Sequence, residues 1–218
     1  MNHKKQPLKK LTTPTSRRAQ LPMACYGLAL VLWVVLGVFQ MAGDAMAGLQ
    51  EYMLEVTDFQ LVGLESTGAH GVLQTTNGDP QMLLDDLPGA VRTVSYSADF
   101  AGGEPREMCL YYTTKVGQPY SQERRVFPET LADGSYRYTL PRGSIAALRL
   151  DPCSPDEGKS LTVAFPGGNI TLNRSADLPK GLDYFIPSWY QCFCLILYPA
   201  LAAAVFSWLL ALWRKFRS

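Results

Sequence analysis

Two long apolar runs bracket the chain, and between them apolar residues recur at every second position. The first run, from about Leu21 to Ala42, contains no charged residue. Roughly 20 residues rising 1.5 Å each cover a hydrocarbon layer about 30 Å thick, so this run predicts a membrane-spanning helix over residues 21–43. The second run, from Ser188 to Trp213, predicts another over residues 188–213. Trp189, Tyr190 and Trp213 stand at its edges, where amphipathic rings favour the headgroup region. Pro199 removes one helical N–H, a loss that neighbouring groups can repair in a bilayer.

The intervening residues 44–187 carry the period of strands. Val94, Tyr96, Ala98 and Phe100 alternate, which places them on one face of an extended segment. Further runs rich in Tyr, Thr, Val and Leu start at Tyr52, Cys109, Tyr136, Ile145, Leu161 and Ile170. Turn residues separate them at Gly78-Asp-Pro80, Gly117-Gln-Pro119, Asp133-Gly134, Pro141-Arg-Gly143 and Pro166-Gly-Gly168. About eight short strands in this length predict a β-sandwich or jelly roll. The expected fold class is therefore an all-β domain inserted between two transmembrane α-helices.

Charge sets the expected orientation. Lys4, Lys5, Lys9, Lys10, Arg17 and Arg18 precede the first run, and Arg214, Lys215 and Arg217 follow the second. The inner flanks carry Asp44, Glu51 and Asp183 with Lys180. Because cytoplasmic flanks accumulate Lys and Arg, residues 1–20 and 214–218 are expected to be cytoplasmic tails, the first basic and disordered, and the β domain extracytoplasmic. The basic tail also offers contact with anionic membrane lipid. An alternative reading takes Ala45-Met-Ala47 as a small-residue cleavage site after a signal peptide; the domain would still face outward. The whole chain balances 20 Lys and Arg against 19 Asp and Glu, which gives no basic stripe for nucleic acid.

The five cysteines divide by expected compartment. Cys109 and Cys153 fall in the outer domain, where a disulfide is permitted. It would close a loop of about 45 residues and stabilise the domain by roughly 4 kcal/mol; two buried thiols are the competing reading. Cys192-Phe-Cys194 has no histidine partner to suggest a metal site, and no metal or cofactor is expected. His3 and His70 are the two histidines, and neither a Gly-x-Ser-x-Gly elbow nor a His-Glu-x-x-His motif occurs. Asp85-Asp86 and Asp156-Glu157 are adjacent carboxylates, which on a strand would point to opposite faces. Enzymatic chemistry is therefore not expected, and if present would rest on Asp85, Asp86 or His70.

The apolar runs hold no ionisable residue in their cores, which argues against a transport pathway. Ala200, Ala203, Ala204 and Ser207 instead form a small-residue set suited to helix packing, with a multi-span membrane partner or a second copy of this chain. Asn169-Ile-Thr171 and Asn173-Arg-Ser175 match the N-glycosylation pattern.

Thr76-Asn-Gly-Asp-Pro-Gln81, Leu110-Tyr-Tyr112, Gln118-Pro-Tyr-Ser-Gln-Glu123 and Ala147-Leu-Arg-Leu-Asp-Pro152 together resemble a carbohydrate-binding-like β-sandwich module of bacterial cell-envelope polysaccharide synthesis and glycosyltransferase membrane proteins. The resemblance covers about 75 residues and includes no transferase core. It implies an envelope-facing module with a possible glycan partner, for which Tyr112 and Tyr120 would supply stacking faces and Arg124 hydrogen bonds. Adjacent Tyr111 and Tyr112 must face opposite ways, so at most one of them joins such a platform. Three expectations of different class follow: a non-catalytic accessory protein of envelope polysaccharide or glycolipid assembly, a tethered glycan-binding or sensing module, and an enzyme with an unrecognised site.

Overall fold

The computed structural model describes residues 15–217, which fall into a β unit, Gly43–Pro179, and a helical unit formed by the residues up to Ala42 and from Lys180 onward. Of the basic tail expected over residues 1–20, residues 1–14 lie outside the described residues. Helix α1 runs Thr15–Ala47 and α2 runs Trp189–Arg217. Both are longer than the predicted spans, and both are long and apolar enough to cross a membrane.

Within the helical unit the contacts are specific. Tyr26 Oη donates to the Ile196 carbonyl at 3.0 Å, close to Pro199, whose missing N–H leaves the Leu195 carbonyl without its helical donor. Trp33 Nε1 donates to the Phe185 carbonyl at 3.1 Å. A Cβ on Gly37 would lie 2.6 Å from the Phe185 ring, so a glycine is required where the 3-10 turn Gly181–Phe185 meets α1.

The β unit contains fourteen strands among the described residues: β1 Tyr52–Glu55, β2 Gln60–Val62, β3 Leu64–Ser66, β4 Val72–Thr75, β5 Gln81–Leu84, β6 Thr93–Tyr96 and β7 Asp99–Ala101. These are followed by β8 Glu107–Thr113, β9 Arg125–Val126, β10 Glu129–Thr130, β11 Tyr136–Thr139, β12 Ala147–Ser154, β13 Thr162–Ala164 and β14 Asn169–Leu172. They build a first sheet in the order β1-β14-β6-β11-β10, a second in the order β2-β5-β12-β8-β9 and a third in the order β3-β4-β13-β7. Neighbouring strands are antiparallel in all three. The arrangement is sandwich-like, and one core joins all three sheets: Val94, Tyr138 and Leu172 from the first, Met82, Leu110 and Leu150 from the second, Leu73 and Val163 from the third. Each such aliphatic side chain contributes roughly 1.5–3 kcal/mol on full burial.

Of the expected alternation Val94, Tyr96, Ala98 and Phe100, the first two lie in that core and the last two are partly buried against it, although the chain changes sheet between β6 and β7. Strand β6 is buried on both faces because the segment after β14 folds over its outer side. There Ser95 Oγ donates to Asp177 Oδ2 at 2.6 Å. Burial works against the charge on Asp177, but hydrogen bonds from Arg174 and Ser95 and the charges of Arg174 and Arg137 outweigh it and hold the carboxyl below its usual range. Asn173 turns the chain at φ 54°, a left-handed value that asparagine tolerates better than most residues. Its Nδ2 donates to the Gln50 and Ala90 carbonyls and its Oδ1 accepts from Arg92 N. The fully buried amide is thus committed to the fold, which explains this asparagine without glycosylation.

Candidate ligand-binding surface

The outer face of the second sheet follows from strand parity. In β8, Leu110 packs in the core and Tyr112 is half-buried against it, so Cys109 and Tyr111 point the other way. In β12, Leu148 and Leu150 are core residues, which sends Arg149 and Asp151 to the outer face. Register then aligns three strands: Tyr111 lies opposite Arg149 of β12 and opposite Arg125 of β9.

The result is a row of alternating guanidinium and aromatic groups. Arg149 Cζ is 4.9 Å from the Tyr111 ring centroid, and Arg125 Cζ is 6.0 Å from the same ring and 4.6 Å from that of Phe127. Tyr111 is only 7% exposed, whereas Phe127 is 57% exposed. Guanidinium groups within about 6 Å of an aromatic ring are attracted by its quadrupole. Arg149 binds both Asp151 oxygens, Nε to Oδ1 at 2.8 Å and Nη2 to Oδ2 at 2.7 Å, and Nη2 also reaches Asp79 at 2.7 Å. Arg125 pairs with Glu107. The forked pair with Asp151 fixes the plane of the Arg149 guanidinium.

Burial pushes the Asp151 carboxyl above its usual range, against the two hydrogen bonds from Arg149. It also raises the Tyr111 phenol. Asp151 remains bound to Arg149 in a forked pair.

The loop between β8 and β9 carries the other two residues expected to meet glycan. Tyr120 is half-buried, its phenol pushed up to about 12 by burial and by the Asp85 charge, with Arg149 acting in the opposite sense. Arg124 is half-buried too, and its Nη2 donates to the Pro119 carbonyl at 2.8 Å. Among the described residues Tyr120 Oη, Ser121 Oγ and Arg124 Nε have no hydrogen-bond partner. Tyr120 thus shares a charge environment with Arg149 of the row, while Tyr112 faces the core side of β8. The aromatic residue facing outward from that pair is Tyr111.

Other expected groupings resolve differently. Cys109 and Cys153 are both free and buried, so the disulfide reading is corrected to two thiols. Cys109 lies on the outer face, its Sγ 3.8 Å from Asp151 Oδ2, whereas Cys153 belongs to the core. Burial pushes both thiols up to about 12. In α2, Ala203 is buried but Ala200, Ala204 and Ser207 are exposed, so the four do not form one packed face; Pro199 is the other buried residue of this helix. The last turn of α1 includes Ala45 and Ala47, and beside them Asp44 is buried against Arg92 and Arg142. Asp85 and Asp86 line one cleft, with Asp58, and His70 lines another, so these three residues are not gathered into one site. No cluster of three or more potential metal ligands occurs among the described residues.

Neither a protein-family model nor a curated protein matches the chain. Among solved structures it is similar to a low-affinity xylan-binding module, CBM86, from the gut symbiont Roseburia intestinalis, at 10% identity and a TM-score of 0.38, over 59% of this chain and 98% of that one. It is also similar to the β-galactosidase BgaA of Streptococcus pneumoniae, at 10% identity and 0.30, over 53% and 89%. A third likeness, at 14% identity and 0.30, is to an adhesin domain of Lys-gingipain, over 59% and 90%.

Proposed function

We propose that this protein is a membrane-anchored, non-catalytic module whose β unit binds glycan at the extracytoplasmic side of the cell envelope. The row Arg149–Tyr111–Arg125–Phe127 carries this reading. It combines an exposed ring, on which the apolar face of a sugar can rest, with guanidinium groups already paired with carboxylates. Such a surface needs little ordering on binding, which limits the entropic cost.

Anchoring rests on the helices. Leu30, Val34 and Phe39 of α1 and Ile196, Leu201 and Trp208 of α2 are exposed, and apolar surface left in water costs about 25 cal/mol per Å². A bilayer removes that cost, and the basic residues at the two ends of the chain orient it with both termini in the cytoplasm.

The test uses the full chain in lipid nanodiscs against a panel of envelope polysaccharides and oligosaccharides. Saturable binding that falls at least tenfold in Phe127→Ala, while Tyr112→Phe leaves it intact, supports the reading. A folded protein that binds no glycan in the panel, or binds equally well as Phe127→Ala, refutes it.

A second reading, an accessory subunit of envelope polysaccharide or glycolipid assembly, is favoured by one observation: Ala200, Ala204 and Ser207 are exposed, leaving a small-residue edge open to a further helix. It requires a copurifying multi-span protein that is lost on Ala200→Leu and Ala204→Leu. Retention of the partner in that double variant would count against it.

A further inference from the structure

The loop joining β8 to β9, residues 114–124, crosses the outer face of the second sheet. Thr113 has the parity of Tyr111 and so points outward, yet its exposure is only 2%, which requires chain to lie over it. Two residues of the loop trace its course. Gln122 hydrogen-bonds to the Tyr111 phenol. Tyr120 lies within reach of the charges of Arg149, on the outer face of β12, and of Asp85, just beyond β5. The loop therefore leaves β8, passes over its last residue toward β12 and β5, and returns to β9.

This loop is bound mainly to itself. Thr114 donates to Gln118 Oε1 from its N at 3.0 Å and from its Oγ1 at 3.1 Å. Gln118 N donates to the Lys115 carbonyl at 3.2 Å, and Arg124 N to the Ser121 carbonyl at 3.0 Å. Arg124 Nη2 closes back on the Pro119 carbonyl at 2.8 Å. Bonds internal to the loop survive when it moves as a unit.

Against the sheet the balance is unfavourable. Thr113 Oγ1, Tyr120 Oη, Ser121 Oγ and Arg124 Nε are buried with no hydrogen-bond partner, four of the six such atoms among the described residues. A polar group cut off from water without a replacement partner raises the energy of the state that buries it. Lifting the loop returns all four groups to water. It also sacrifices little packing, because no apolar residue of 114–124 belongs to the core or packs against it. Segments with few buried apolar contacts open without global unfolding.

We infer that residues 114–124 form a hinged cover that opens while the β unit stays folded. Opening uncovers Thr113 and the Tyr120 hydroxyl beside the Arg149–Tyr111 row, adding neutral hydroxyls to that face. The Gln122–Tyr111 hydrogen bond holds the closed form, and the four unpaired groups oppose it. The motion needs no ligand and is independent of glycan binding.

A thiol introduced by Ser121→Cys reports opening. In the full chain in nanodiscs, N-ethylmaleimide reaches that thiol only when the cover lifts, and peptide mapping by mass spectrometry separates it from the five natural cysteines. At reagent concentrations where labelling is slow compared with closing, the rate follows the open population. Labelling of the folded protein is expected, and it should slow by roughly fivefold or more when Tyr120→Phe removes an unpaired hydroxyl from the closed form. Gln122→Ala, which frees the tie to Tyr111, should accelerate it by roughly threefold or more. Tyr138→Phe, which weakens the core, should leave the rate unchanged because the cover opens locally. No reaction in the folded protein, no slowing by Tyr120→Phe, no acceleration by Gln122→Ala, or an acceleration by Tyr138→Phe overturns the assignment.

Discussion

Asp44 and Arg142 form a forked ion pair, Arg142 Nη2 to Asp44 Oδ2 at 3.0 Å and Nε to Oδ1 at 3.3 Å, with the Asp44 side chain only 5% exposed. Arg92 Nε adds a third contact, at 3.2 Å. Breaking a buried pair from one side leaves uncompensated charge. Asp44→Ala is therefore expected to destabilise the β unit by about 3 kcal/mol. Arg142→Ala should cost less, because Arg142 is 42% exposed and Asp44 retains Arg92. Urea unfolding of the detergent-solubilised protein, read by near-ultraviolet circular dichroism, ranks the two; equal losses would show that Arg92 contributes nothing.

Tyr96 and Tyr138 share a hydroxyl–hydroxyl hydrogen bond of 3.0 Å inside the core. Removing one hydroxyl leaves the other buried without that partner, at a cost of about 1–3 kcal/mol. Tyr138→Phe and Tyr96→Phe should each show such a loss, and the double variant should lose less than their sum. Thermal unfolding of the four proteins closes the cycle.

Cys109 and Cys153 are buried, with thiols far above neutral pH in their acid–base equilibrium, and only the thiolate is an effective nucleophile. Neither should react with iodoacetamide in the folded protein, and both should react after denaturation. Peptide mapping by mass spectrometry distinguishes them from the cysteines of the helices. A Cys109–Cys153 cross-linked peptide from untreated protein would contradict the structure.

The depressed carboxyl of Asp177 predicts a pH dependence of definite sign. A carboxyl whose folded value lies below its unfolded value contributes stability above the unfolded value, about 3.9, and loses it as pH falls through the folded value. Stability should thus decline in acid below about pH 4, and Asp177→Asn should flatten that part of the profile while being less stable at neutral pH. An unchanged acid limb in the variant would assign the dependence to other carboxylates.

Much of the architecture was legible because it depends on local periodicity. The charge-free runs specify helices long and apolar enough to cross a membrane. The alternation through Val94 and Tyr96 identifies a buried face, and the glycine and proline turns separate the strands. Even part of the candidate surface was accessible: Arg149 and Asp151, two apart on a strand, must share a face. Parity likewise required Tyr111 and Tyr112 to diverge.

Which of those tyrosines faces outward depends on what β8 packs against, and this is a tertiary matter. The row Arg149–Tyr111–Arg125 joins three strands through interstrand register, which no local pattern encodes. Phe127 acquires its place only because β9 pairs along the edge of β8. The same holds for the thiols: their sequence separation permits a bridge, but Cys109 lies on the outer face of the second sheet and Cys153 in the core. In α2 the spacing of Ala200, Ala203, Ala204 and Ser207 marks small residues, whereas only the folded chain decides that Ala203 alone of the four is buried. Hydrophobic and conformational preferences are carried by each residue and can be read in order along the chain. Ion pairs, stacked rings and clefts require residues distant in sequence to meet, and only the folded backbone brings them together.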